Sequence, residues 1–182
     1  RFALDALGRD LRHADFWGGV DVAGQAALPP ELISDSATPC SLSWLADYRY
    51  GIGGYDGAVS SPLPTCTVSS YQAQTDVLVI RSGIPDDYAP TADLEDDTNT
   101  DLDEHGAVYV RSLVGAGGFM FHRSTVADAK SRISGSDDEG IFNHRFELAI
   151  LYLADFDVGG TTMPTLSVLD LDTRSGKAAL WP

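Results

Sequence analysis

Phe146-Glu-Leu-Ala-Ile-Leu-Tyr-Leu-Ala154 is the strongest apolar run in the chain, and it constrains the fold more than any other stretch. Its length admits a buried helix, but the flanking turn signals and the pattern that follows favour a central β-strand. Gly159-Gly160 marks a turn, and Thr165-Leu-Ser-Val-Leu-Asp170 alternates beyond it as an antiparallel neighbour would. Asp76-Val-Leu-Val-Ile-Arg81 and Ala107-Val-Tyr-Val-Arg-Ser-Leu-Val114 are two further short apolar runs with polar flanks. Gly118-Phe-Met-Phe-His122 follows Gly115-Ala-Gly117, the pattern of a hairpin. A short helical turn is expected near Ser124–Lys130, and no internal repeat is visible. At 182 residues the chain reads as one domain large enough to bury a core.

The opening residues read differently. Leu4, Leu7, Leu11 and Ala14 recur as one apolar stripe of an α-helix, expected to pack on the core. Asp5 and Arg9 stand four apart on the polar side, and Gly18-Gly19 offers a stop. No Ser, Thr, Asp or Asn precedes Arg1, so the helix reads as severed rather than begun. The expected class is therefore α+β: an N-terminal α-helix packed on an antiparallel β-sheet, with long loops. Residues 1–17 form the helix, 20–74 a loop region and 75–182 the sheet region of a single domain 1–182.

The loop region is dense in Gly, Pro and Ser, and loops this long are uncommon unless pinned or functional. Cys40 and Cys66 lie within it, too far apart for a CxxC motif. In an exported chain they would pair and pin the loop; in a cytosolic one they would be two separate buried thiols. The disulfide is the favoured reading. Trp44, Tyr48, Tyr50 and Tyr55 are expected to plug the gap between loop and core.

Twelve basic residues stand against 27 acidic ones, a net charge of −15. That argues against nucleic acid or an anionic membrane as partner, since both need a basic face. Nine carboxylates and no Lys or Arg fall between Asp86 and Glu104. Within that stretch Asp97, Asn99, Asp101 and Asp103 place oxygen ligands at alternate positions, as a calcium loop does. Leu102 stands where such a loop needs Gly, and Val108 where it needs a bidentate Glu; the plainer reading is a solvated acidic loop. The four histidines show no zinc spacing, G-x-S-x-G is missing, and Gly51-Ile-Gly-Gly-Tyr-Asp-Gly57 lacks the spacing of a phosphate cradle. No catalytic constellation emerges, and no enzymatic activity is expected.

R-F-A-L-D-A-L-G-R-D-L-R-H-A-D-F, Arg1 to Phe16, resembles the stretch after the hydrophobic N-terminal helix in PilW-type minor pilins of bacterial type IV pili. Relatives there read G-R-F-A-L-x-x-L-x-R-D-L-R-x-A-G-F. Asp76–Arg81 is similar to the family's S/D-D-x-L-x-V-R strand, and Phe146–Leu153 with Met163-Pro-Thr-Leu to its paired strands. Asp15 stands where relatives carry Gly, and Gly19 near where they often carry Cys. The resemblance implies a pilin-like fold and a structural subunit that primes pilus assembly at or near the filament tip. It implies other minor pilins, the major pilin and a tip adhesin as partners. An apolar helix upstream of Arg1 would anchor the subunit in the inner membrane, with the globular part in the periplasm and then on the cell surface. Type II secretion pseudopilins are a close variant. The alternative from another class is an extracellular calcium- or ligand-binding adhesion module.

Overall fold

The computed structural model describes residues 2–19, 40, 44, 50–63, 66, 70–96, 98–99, 108–114, 117–135, 139–172 and 179–181. In chain order the elements are α1 (Phe2–His13), β1 (Ile52–Tyr55), β2 (Val77–Tyr88), α2 (Thr91–Glu95), β3 (Val108–Leu113) and β4 (Gly117–His122). A 3-10 turn (Arg123–Thr125) leads into α3 (Val126–Arg132), followed by β5 (Ile141–Val158), β6 (Thr161–Asp172) and β7 (Ala179–Trp181).

Every pairing among the described strands is antiparallel, and β5 organises them. One edge of β5 is shared: β3 pairs with Ile141–Arg145 and β6 with Ala149–Val158. The other edge takes β2, whose register shifts between Gly83 and Tyr88. The order runs β1-β2-β5-β3-β4, with β6 on β5 and β7 on β6. The expected run Phe146–Ala154 is thus the middle of an 18-residue central strand. The expected β3–β4 hairpin and the β5–β6 pair about Gly159-Gly160 form as read.

Successive side chains of a strand face opposite ways. Phe146, Leu148, Ile150, Tyr152 and Ala154 of β5 share the first face with Val77 and Val79 of β2, Val110 of β3 and Met120 of β4. Trp17, Trp44, Leu63 and Cys66 cover that face. The second face is covered in two places. Leu94 of α2 and Ala129 of α3 pack with Tyr109, Phe119, Phe121 and Ile141 at one end. At the other end Leu7 and Ala14 rest against Ile80, Ala149 and Leu151.

The expected α+β arrangement, an N-terminal helix packed on a sheet, is corrected by this architecture. The chain is mostly antiparallel β-sheet, 48% strand against 21% helix, curled into a half-barrel with only short helices. The reason lies in lengths and contacts. α1 has 12 residues and spans about 18 Å, whereas β5 runs roughly 60 Å. Leu7 and Ala14 touch the sheet, Leu11 is left 40% exposed, and the Leu4 side chain lies outside the described residues. Arg9 pairs with Asp10 at 3.1 Å, not with Asp5. α1 stops before Gly18-Gly19, because Asp15 takes a left-handed turn (φ 64°) and its N–H donates to Arg81 O.

From Asp15 the chain crosses from one face of the sheet to the other. Phe16 O accepts from the Gly83 N–H at 2.7 Å, along the edge of β2. Trp17 then enters the core of the first face, its Nε1–H donating to Asp15 Oδ1 at 2.7 Å. A Cβ at Gly18 (φ +69°) would collide with Ser112, whose hydroxyl donates to Gly18 O.

Candidate functional site

Among the described residues, three arginines are spent inside. Arg81 donates to the carbonyls of Tyr50 and Trp44 at 3.1 and 2.9 Å and lies 4.6 Å over the Trp44 ring. Arg111 donates to Ile133 O (2.8 Å), Thr91 Oγ1 (2.9 Å), Asn143 Oδ1 (2.9 Å) and Gly135 O (3.2 Å). Arg123 donates to Leu94 O and Asp96 O at 3.3 and 2.6 Å. All three are buried; Arg81 on β2 and Arg111 on β3 tie neighbouring segments to the sheet, and Arg123 ties the end of α2 to the 3-10 turn after β4, each using backbone carbonyls. Their guanidinium forks suit such multiple acceptors. The solvent-facing surface is correspondingly poorer in positive charge.

The β5–β6 pair leaves the body as a ribbon. Among the described residues its last tie is at Ser70–Gln72: Gln72 N–H donates to Leu153 O and Asp155 N–H to Ser70 O, both at 2.8 Å. Beyond it, residues 155–165 are all exposed. The register sets Phe156 opposite Met163 and Val158 opposite Thr161. These lie on the same face as Tyr152 and Ala154, so the core stripe of β5 continues uncovered: Phe156 is 51%, Val158 62% and Met163 50% exposed. Asp155 and Asp157 occupy the opposite face. Gly159 and Gly160 close the ribbon with φ of 63° and 86°, and Asp157 Oδ1 accepts the Gly160 N–H at 2.8 Å. Among the described residues no strand pairs with the outer edge of β6 from Thr161 to Leu169, where Pro164 removes one donor.

A second aromatic group gathers at the other end of β5. Phe142 stacks on His144 (5.8 Å, 27°), while Tyr88 and Phe16 meet the imidazole edge-on at 6.2 and 5.1 Å. His144 Nδ1–H donates to Ile84 O at 3.1 Å. Arg145 Nε lies 2.6 Å from Asp87 Oδ2 alongside. Burial pushes the His144 pKa below its ordinary value; the Ile84 hydrogen bond and the Asp87 carboxylate oppose the shift.

Near α2 and α3, an open cleft of about 500 Å³ is lined by Leu94, His122, Arg123 and Val126. His122 Nδ1 lies 2.8 Å from Ser124 Oγ and accepts the Ser124 N–H at 3.2 Å. This geometry caps the 3-10 turn; it does not set up a base and nucleophile. Lys130 and Glu95 pair at 2.6 Å at the rim.

Of the calcium candidates, Asp97, Asp101 and Asp103 lie outside the described residues, as does His105. Asn99 N–H donates to Asp96 O at 3.0 Å, and Thr98 holds Asp96 Oδ1 through its hydroxyl (2.6 Å) and N–H (2.9 Å). Those bonds hold the Asp96 carboxyl below the usual carboxylate range. Among the described residues no three His, Cys, Asp or Glu side chains gather as a metal site. Cys40 and Cys66 form a disulfide with Cα atoms 5.3 Å apart. Trp44 and Tyr55 plug the loop as expected, joined by a 3.2 Å hydrogen bond. Tyr50 instead stands exposed, and Tyr48 lies outside the described residues. Among the described residues no helix is long and apolar enough to cross a membrane.

Sequence reasoning ended the central strand at Ala154 and so missed Phe156, Val158 and Met163. The signal was available: Asp155-Phe-Asp-Val158 alternates strictly into the Gly-Gly turn. Comparison with protein-family models, with curated proteins and with solved structures finds no match.

Proposed function

We propose that this chain is a structural subunit of a type IV filament, a minor pilin that primes assembly at or near the tip. The observation that carries the reading is the segment Arg1–Phe16, similar to the pilin stretch along its length and helical over Phe2–His13. Leu7 and Ala14 hold that helix to the sheet while Leu11 faces outward, available to a neighbouring subunit. The half-barrel does not contribute to the reading, since it departs from the arrangement the resemblance implied. Work would be done by packing between subunits. The partners would be other minor pilins, the major pilin and a tip adhesin, with an upstream apolar helix in the inner membrane before assembly. A pseudopilin of type II secretion is the near variant of the same role.

The test is genetic. Deleting the gene lowers the number of surface filaments counted by electron microscopy, and the wild-type gene restores it. Leu11→Asp, at an exposed position, folds with an unchanged melting temperature and restores filaments poorly. Filaments undiminished by the deletion contradict the proposal. The alternative calcium- or ligand-binding adhesion module has no specific observation behind it among the described residues.

A further inference from the structure

The segment that leads from α1 into the core is held in two unequal ways. Residues 15–18, which carry the chain across the edge of β2, are fitted closely. A Cβ at Gly51 would stand 2.7 Å from the Asp15 nitrogen, and one at Gly83 would stand 3.3 Å from Phe16 O. These two glycines let the backbones approach, and the hydrogen bonds follow. Asp15 N–H donates to Arg81 O at 3.1 Å, Arg81 N–H to Gly51 O at 2.7 Å and Gly83 N–H to Phe16 O at 2.7 Å. Trp17 and Gly18 are then buried, with Trp17 stacked on Phe146.

α1 is seated far more lightly. Among its described side chains none is buried; Asp5, Arg9, Leu11 and Arg12 are exposed and Leu7 is half-buried. Leu7 and, just past the helix, Ala14 pack against Ile80, Ala149 and Leu151, which are 3%, 5% and 4% exposed. Gly8 lies at mid-helix and lowers the helix's own stability. Twelve residues are marginal as a helix away from a supporting surface. The turn that separates the two halves sets Asp15, a non-glycine residue, at φ 64°, a conformation that L side chains adopt only at a cost. The free energy that holds α1 down is thus small beside the free energy that holds residues 15–18.

We propose that α1 is a releasable cover. It leaves the sheet and melts as a unit, uncovering the apolar patch Ile80, Ala149 and Leu151, while residues 15–18 and the sheet stay folded. Trp17 is the fixed anchor, and the turn at Asp15 is the boundary between two cooperative units. Release of α1 follows from burial and close approach, whether or not the chain is a filament subunit.

The Cys40–Cys66 bridge occupies both cysteines of the chain, so a single introduced thiol reports its own accessibility. Ala149→Cys places that thiol beneath α1, and Val110→Cys, on the opposite face of the sheet, is the control. In the 182-residue chain under native conditions, maleimide labelling is expected at least about 100-fold faster at 149 than at 110. Leu7→Asp speeds labelling at 149 at least about tenfold and leaves 110 unmoved. It also leaves unchanged the exchange of the Asp15 and Gly83 amides, read by NMR. Leu7→Ala serves as second variant should Leu7→Asp lose the fold. Equal rates at 149 and 110, or labelling at 149 indifferent to the Leu7 substitution, overturns the proposal. So does acceleration of 110 and of the Asp15 and Gly83 amides along with 149, because α1 would then open only with the whole molecule.

Discussion

Trp17 lies face to face with Phe146, ring centroids 6.2 Å apart and planes 13° from parallel. The contact joins the segment that follows α1 to the centre of β5, and Trp17 is buried to within 1%. Trp17→Ala leaves a large void and removes the indole N–H bond to Asp15. A loss of about 3–5 kcal/mol is expected by urea denaturation. A loss under 1 kcal/mol would mean that the segment after α1 is not part of the core.

Arg111 holds Thr91, Ile133, Gly135 and Asn143 around one buried guanidinium. Arg111→Lys keeps the charge but cannot reach four acceptors from one point. It is expected to cost about 2–3 kcal/mol, with faster amide exchange at 133–135. A neutral substitution would show that the charge alone matters.

The Cys40–Cys66 bridge closes a loop of sequence separation 26. On the chain-entropy model its removal in Cys40→Ala with Cys66→Ala costs about 3–4 kcal/mol. Reducing agent should lower the wild-type melting temperature and leave the double variant unmoved. Equal sensitivity of both, or free thiols in the unreduced denatured protein, would contradict the bridge.

His144 carries a pH dependence whose sign follows from its surroundings. Its folded pKa lies below the ordinary 6.5 because burial disfavours the charged ring. The unfolded chain therefore binds the proton more readily, and stability falls as pH drops through 6.5 towards the folded pKa. Asp87, the acidic neighbour of the ring, is paired with Arg145 at 2.6 Å. His144→Gln should flatten the melting-temperature profile between pH 7.5 and 5.5; an unchanged profile would place the dependence elsewhere.

Much of the sheet was legible. Runs such as Asp76–Arg81 and Ala107–Val114 are continuous apolar stretches because their strands are covered on both faces. β1 escaped notice because Gly53-Gly54 weakens any strand signal, and its pairing with β2 supplies the order. α2 lay hidden in the acidic stretch, where only Leu94 and Thr91 turn inward. β5 was read nine residues long because Asn143, His144, Arg145, Asp155 and Asp157 interrupt its hydrophobicity. Pairing with β3 and β6 overrides that local polarity. The relation of α1 to the sheet could not be read at all: an apolar stripe shows that a helix packs, not how much of the structure it covers. Nor does a sequence announce a buried arginine, since its acceptors are carbonyls brought together only by the fold.

Tandem mass spectrometry on the N-terminus of the native, full-length protein from its own cell tests the filament-subunit proposal most directly. The proposal predicts an N-methylated Phe or Met at the head of a long apolar helix that runs into Arg1. A native start close to Arg1, or an ordinary signal-peptide cleavage with no apolar helix before it, would contradict it.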